Sequence, residues 1–335
     1  MDNVHFIGVD ISKKTLDFAV CKDGKIVFSE QTQNTTKSIE AMLKRIGKLE
    51  GFVLDLAVVC MEKSGIYNTP LLNHLSATEI QVWLESPQQI KHSMGITRGK
   101  SDIVDAARIA KYCYTHQREM QAWKPAREVV VRLKQLNTMR ERLVKTIQQL
   151  TVPIAEDEKF LEEKLVKLEK KMFRASITAM KNDLKRIDEE IAKVIDSDLQ
   201  LKELYGLVTS VDFVGPVIAC AVIAVTEEFT AFTDPRKFAC HCGVAPFEHT
   251  SGTSVKGRTK VSKKADMRLK KLLHLAAVSS IARAGEMREY YDRRTAEGRS
   301  AMSVLNAIRN KIIRRIFAVV SRGTEFRRDY QNALA

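Results

Sequence analysis

Long apolar runs are missing from this chain of 335 residues. No uninterrupted stretch approaches the roughly 20 apolar residues that span a bilayer. A signal-peptide pattern is absent at the N-terminus, and neither a lipidation motif nor a strongly amphipathic anchor is present. No membrane partner is therefore expected. Cysteine is sparse: the six, at 21, 60, 113, 220, 240 and 242, are scattered and mostly lie within apolar runs. That suits buried thiols in a reducing cytoplasm better than a disulfide framework. Cys240 and Cys242 flank His241, yet a second ligand pair at zinc-finger spacing is lacking, so zinc is not expected there. Low-complexity tracts and internal repeats are absent as well.

The bulk composition, 44% hydrophobic and 29% charged, is that of an ordinary globular protein, and the length suggests about two domains. The net charge of +14 is unevenly distributed. Residues 206–335 carry 22 Lys and Arg against 12 Asp and Glu, whereas residues 1–120 are nearly balanced at 15 against 14. Such asymmetry points to a C-terminal part that binds a polyanion.

Three regions follow from the patterning: 1–122, 123–202 and 203–335. The first reads as α/β. Residues 4–10 form a β-run, residues 16–21 alternate at period two, and Asp23-Gly24 supplies a hairpin turn into a third strand. Helices are expected at 38–49, 66–76 and 103–116, with strands at 53–61 and 80–84. A hairpin first and strand–helix alternation afterwards is the order of a ribonuclease-H-like domain. The middle region is helical: Leu133, Leu136, Leu143, Ile147 and Leu150 mark one stripe, and Leu161 through Val194 mark a second at coiled-coil spacing. Pro153 with Glu156-Asp157-Glu158 is expected to break the chain between them. The seam fits an intramolecular helical hairpin and a subunit interface equally. The third region is expected to be mostly helical. Tyr205 to Ala219 reads as two short helices around a turn at Phe213-Val-Gly215, a helix-hairpin-helix pattern whose backbone N–H groups suit a DNA phosphate. A polar loop is expected from Phe247 to Val261, then a basic helix from Lys263 and a final amphipathic helix over 300–321.

Two constellations carry chemistry. Asp10 and Glu62 close apolar strands, and Asp102 and Asp105 stand at i,i+3 where a helix begins. Several carboxylates are what a divalent ion acting on a phosphodiester requires, since Mg²⁺ and Mn²⁺ prefer oxygen ligands. Singly, each acid has a structural explanation: Asp102 suits a helix start, and Glu62 suits the opening of a loop. The four in this order point to a metal site, while Asp17, Asp55 and Glu85 read as solvated or structural. The second constellation runs from Glu248 to Lys264 and packs Ser251 and Ser254 with glycines and cations. Lys256, Arg258, Lys260, Lys263 and Lys264 suit phosphate oxygens. With no Ser–His–Asp arrangement nearby, the residues alone favour phosphate-binding hydroxyls over a covalent nucleophile. His274 reads as a core histidine.

The blocks Phe6-Ile-Gly-Val-Asp10, Glu62-Lys-Ser-Gly-Ile-Tyr67 and Gly99-Lys-Ser-Asp102-Ile-Val-Asp105-Ala resemble the N-terminal DEDD domain of Piv-like insertion-sequence transposases, the bridge-RNA-guided recombinases. Val211-Asp-Phe-Val-Gly215-Pro, Phe238-Ala-Cys-His-Cys-Gly243 and Ser251-Gly-Thr-Ser-Val-Lys-Gly-Arg258 resemble the C-terminal domain of the same family. This resemblance implies a Holliday-junction-resolvase-like fold in which Asp10, Glu62, Asp102 and Asp105 bind Mg²⁺ or Mn²⁺. It implies that Ser251 is the nucleophile on the scissile phosphate, in a composite site that combines the two elements between subunits. It further implies donor and target DNA and a guide RNA as partners, and a homo-oligomer, dimer or tetramer, joined through the coiled coil. A cytoplasmic, nucleoid-associated location in a prokaryote goes with it. Lys100, Gly215 and Arg268 join the five cations after Ser251 as nucleic-acid contacts. Phe213 departs from the pattern, standing where a glycine-like turn residue is common. A junction endonuclease using water as nucleophile is the nearest rival. A non-catalytic nucleic-acid-binding protein is another, and an actin-like sugar kinase fails because Ile11-Ser-Lys-Lys14 is no glycine-rich phosphate turn.

Overall fold

The computed structural model describes residues 4–93, 102–251, 255–261 and 265–328, without the side chains of 102–103 and 247–260. The chain divides into two compact units, Met1–Pro125 and Ala126–Ala335.

In the first unit, β1 (His5–Ile11), β2 (Thr15–Lys22) and β3 (Lys25–Gln33) form an antiparallel meander. Asp23 and Gly24, at φ 49° and 76°, make the left-handed turn between β2 and β3 that matches strand twist. Helix α1 (Thr36–Ile46) follows, and then β4 (Ala57–Glu62) lies parallel to β1. Helix α2 (Thr69–Leu75) leads to β5 (Gln81–Glu85), parallel to β4, and α3 (Pro87–Ser93) and α4 (Asp102–Thr115) complete the unit. The sheet order is β3-β2-β1-β4-β5. Three antiparallel strands extended by two parallel ones is the expected ribonuclease-H-like topology.

Period-two alternation sends Ile7 and Val9 of β1, with Val59 and Met61 of β4, towards α1 and α2, where they meet Ile39, Met42 and Leu71. The opposite face, with Phe6, Val58 and Cys60, is covered by Ala106, Ile109, Ala110 and Cys113 of α4. The strand expected over 53–61 starts later, at Ala57, after a short turn of 3₁₀ helix. β2, expected from the alternation over 16–21, is buried on both faces because α4 covers the second.

The second unit opens with α5 (Glu128–Asp157) and α6 (Glu163–Asp196). The pairs Arg132–Glu190 at 3.3 Å and Arg140–Asp188 at 2.7 Å show that they run antiparallel as an intramolecular hairpin. The break expected at Pro153 falls later, because α5 runs through this proline to Asp157. Gln149, whose carbonyl loses its helical partner, is exposed to water, which removes most of the penalty. Beyond the hairpin lie α7 (Leu199–Thr209), α8 (Pro216–Thr226) and α9 (Pro235–His241). Helix α8 is apolar around almost its whole circumference and forms the centre of the unit's core.

The expected loop over 247–261 is instead a β-hairpin of β6 (Pro246–Ser251) and β7 (Val255–Val261), in the register Thr250↔Lys256 and Ser251↔Val255. Thr250, Val255, Thr259 and Val261 supply β-branched residues, and Gly252 to Ser254 of the expected loop lie outside the described residues. The basic helix expected from Lys263 begins later, as α10 (Met267–Ile281). The Asp266 side chain fixes its start by accepting from the N–H groups of Arg268 and Leu269 at 2.9 and 3.0 Å. Helices α11 (Glu286–Ala296) and α12 (Ala301–Arg322) close the unit. No described helix is long and apolar enough to cross a membrane.

Candidate active site

β1 and β4 are in register through Val9 and Met61, so Asp10 and Glu62 are the next residues at the same end of two adjacent parallel strands. Both follow the side-chain alternation of Gly8 and Cys60, towards the face covered by α4. Helix α4 comes very close there. A Cβ built on Gly8 would stand 2.2 Å from the Ala110 nitrogen and 2.3 Å from the Ala106 carbonyl oxygen, so only glycine admits this contact. Asp105 lies next to Ala106 and therefore at the same crossing of helix and strand. Burial pushes the Glu62 carboxyl above its ordinary range, and the charges of Asp10 and Asp105 push it further. That coupling records three of the four expected acids in one electrostatic cluster. Asp102 is the first residue of α4, and its side chain lies outside the described residues, as does all of Lys100. Among the described residues no three metal-binding side chains already stand at ligand spacing.

Further groups gather at this end of the sheet: Arg108, which the sequence pattern did not mark, and Asp17 and Glu85, which read from the sequence as solvated or structural. Arg108 places its Nη1 2.7 Å from Asp105 Oδ1. Asp17 is the cross-strand partner of Asp10, and of its two sequence readings it takes the structural one: it is buried, with both carboxylate oxygens accepting from Gln31 Nε2 at 3.0 and 3.1 Å. Glu85 pairs in register with Glu62, and its Oε2 accepts from the Tyr112 hydroxyl at 3.2 Å. That carboxylate, together with burial, pushes the Tyr112 phenol up. The signal that could have found α4's approach was Gly8 itself, a glycine inside an otherwise apolar strand.

In the second unit Ser251 is the last residue of β6, and its partner strand β7 carries Lys256, Arg258 and Lys260. The side chains of these four residues, and Lys263 and Lys264 altogether, lie outside the described residues. Gly215 is the N-cap of α8. Phe213 adopts φ +68°, the left-handed conformation that glycine takes without strain. The α7–α8 turn lines a cleft of about 540 Å³ together with Arg283 and Arg328, the latter held by both carboxylate oxygens of Asp212 at 2.8 and 3.2 Å. Arg268, on α10, pairs with Glu141 of α5 at 3.2 Å.

Two family models match the chain in order. A DEDD-type IS110 model described as "Transposase" covers residues 7–156, and one described as "Transposase IS116/IS110/IS902 family" covers 205–292. The chain belongs to the IS110/Piv family of DEDD transposases. It is 22% identical over 325 residues to the pilin gene-inverting protein of Moraxella lacunata, spanning 96% of this chain and 97% of that one. The corresponding protein of Moraxella bovis is 21% identical over the same length and shares. Among solved structures, Thermus thermophilus RuvC in complex with a Holliday junction substrate covers 36% of this chain and 98% of its own, at 14% identity and a TM-score of 0.28. As a member of the IS110/Piv family, the protein is a transposase or recombinase acting on DNA.

Proposed function

We propose that this IS110-family protein recombines DNA through a transient phosphoserine linkage, with a divalent cation held by Asp10, Glu62, Asp102 and Asp105 and with Ser251 as nucleophile. The observation that carries the reading is the acid cluster: a helix packed backbone to backbone on β1 at Gly8 holds Asp105 where, with burial and the charge of Asp10, it pushes the Glu62 carboxyl above its ordinary range. Mutual repulsion of that kind, in an all-oxygen donor set, suits Mg²⁺ or Mn²⁺. When bound, the ion supplies charge neutralisation at the phosphate oxygens and favours ionisation of an attacking hydroxyl.

The chain's own residues account for the remainder. Ser251 sits at the tip of a two-stranded ribbon, which can extend into a groove. Its hydroxyl oxygen forms a bond to phosphorus, the bond to one deoxyribose oxygen breaks, and that oxygen leaves as a hydroxyl after taking a proton. A hydroxyl of the second duplex then reverses the step, releasing the serine and conserving the ester. Lys256 and Arg258, on the adjacent strand, neutralise charge on the five-coordinate phosphorus. Lys100, Lys260, Lys263, Lys264, Arg268 and the turn at Gly215 hold nucleic-acid backbones. A guide RNA selects the sites by base pairing, leaving the protein to read shape and backbone. The moraxella relatives, named for inverting a pilin gene, fit the same cut-and-rejoin chemistry.

Ser251→Ala and Asp102→Asn are each expected to lower strand exchange at least about 10³-fold while leaving nucleic-acid binding nearly intact. A denaturing gel of the wild type with a nicked substrate is expected to trap a protein–DNA adduct that Ser251→Ala lacks. Exchange at the wild-type rate by Ser251→Ala would remove the covalent step and leave water as the nucleophile.

A further inference from the structure

A second cleft, of about 390 Å³, opens between α5, α8 and α10 and shares only Arg268 with the residues assigned above. That volume lies in the range of small-ligand sites. Its walls are apolar, from Val144, Val217, Leu272 and Leu275, and the exposed Met267 adds a flexible thioether. Two uncharged polar residues interrupt them, Gln148 and Asn137, and Asn137 is the buried one, at 1% exposure. Neither its Nδ2 nor its Oδ1 has a hydrogen-bond partner among the described residues. A buried amide with both ends unsatisfied is an uncompensated desolvation, and native proteins rarely carry one without use for it. Four cations and one acid also line the cleft. Glu141 holds two of them, Arg268 at 3.2 Å and Lys145 at 3.3 Å, and Arg140 pairs with Asp188 at 2.7 Å. Lys271 has no ion pair among the described residues.

We infer that this cleft takes the base of an unpaired nucleotide from the DNA strand being exchanged, with adenine preferred, its flanking phosphate resting on Lys271. The apolar walls replace water around the base faces. Asn137 offers one donor and one acceptor, the complement of adenine's N7 and N6 amino group. The cationic rim favours a nucleotide over an apolar peptide or a neutral metabolite. Cutting and rejoining two duplexes leaves nucleotides unpaired beside the exchanged position, so a strand-exchange enzyme has use for a pocket that captures one. The inference rests on the recombinase reading, but not on the identity of its nucleophile.

The test is fluorescence anisotropy with the full chain and single-stranded oligo(dA), oligo(dT) and an abasic oligonucleotide of equal length, with oligo(rA) as a fourth arm. The wild type is expected to bind oligo(dA) about tenfold more tightly than the abasic strand. Asn137→Leu, close in shape, should erase that difference while leaving abasic binding and the melting temperature undiminished. Lys271→Ala should weaken oligo(dA) and abasic strands alike and reduce the salt slope by about one. Equal binding of oligo(dA) and abasic strands by the wild type, or an undiminished preference in Asn137→Leu, would overturn the proposal. Tighter binding of oligo(rA) than oligo(dA) would overturn the assignment to DNA. An intact base preference in a protein that performs no strand exchange would instead sink the recombinase reading and leave the cleft assigned.

Discussion

Burial and the carboxylates of Asp10 and Asp105 hold Glu62 above the ordinary carboxylate range, so within a window of pH the folded protein keeps a proton that the unfolded chain has released. By linkage, stability then falls as pH rises from the unfolded carboxylate value through the raised folded one, and the penalty is complete above it. Glu62→Gln removes the titrating group. Its melting temperature is therefore expected to exceed that of the wild type at pH 8, with the gain vanishing near pH 4, where both side chains are neutral. Mg²⁺ should raise the wild-type melting temperature at pH 8 and raise that of Glu62→Gln less. Scanning calorimetry at the two pH values decides it, and a lower melting temperature for Glu62→Gln at pH 8 would contradict the electrostatic account. Asp17 shows the limit of reading single acids from sequence. Nothing in its neighbours distinguishes it from a solvated strand residue, yet the α4 layer buries it and Gln31 from the next strand satisfies it.

At the scale of elements, the site depends on how closely α4 lies on β1. Gly8 leaves no room for a methyl group, since the Ala110 nitrogen and Ala106 oxygen occupy the space. Gly8→Ala must push the helix outward, carrying Asp105 away from Glu62 and opening the Phe6–Ile109–Cys113 layer. A loss of about 1–3 kcal/mol is expected from the overpacking, together with weaker Mn²⁺ binding measured by electron paramagnetic resonance. Wild-type Mn²⁺ affinity in Gly8→Ala would show that the helix position does not set the cluster. The hairpin of β6 and β7 makes the complementary point. Its glycines and serines read locally as loop, but the described residues pair as strands from Pro246↔Val261 to Ser251↔Val255. A turn and the ribbon it closes are indistinguishable until the partner strand is in place.

At the scale of the whole molecule, the helical hairpin ends in apolar side chains that nothing in the described chain covers. Phe160 is 84% exposed and Met172 66%, and Leu161, Leu165 and Leu168 are each about half exposed. The proximal half of the same seam, Ile191, Val194 and Ile195, is buried in the core of the second unit. One sequence pattern thus serves two ends: packing within the chain near the core, and a sticky surface at the tip. Self-association through that tip is the expected route to the oligomer that exchanging two duplexes requires. Replacing Leu165 and Leu168 together by Glu should shift the protein to monomer in light scattering and abolish exchange, while single-stranded binding persists. An unchanged oligomer would move the interface elsewhere.

What the sequence by itself determined was everything written in local periodicity and chemistry. The hairpin turn at Asp23-Gly24, the acids at the strand ends and at i,i+3, the two helical stripes and the basic C-terminal third belong here. Each follows from residues within one or two turns or strands of each other, where backbone preference and side-chain spacing act directly. Only the tertiary structure decided which of these features meet. It joined Asp10, Glu62 and Asp105 across three elements through one glycine, buried Asp17, paired β6 with β7, and folded the seam back on itself. Those outcomes depend on long-range packing, whose free energy is shared among residues far apart in the chain and leaves no local pattern to read.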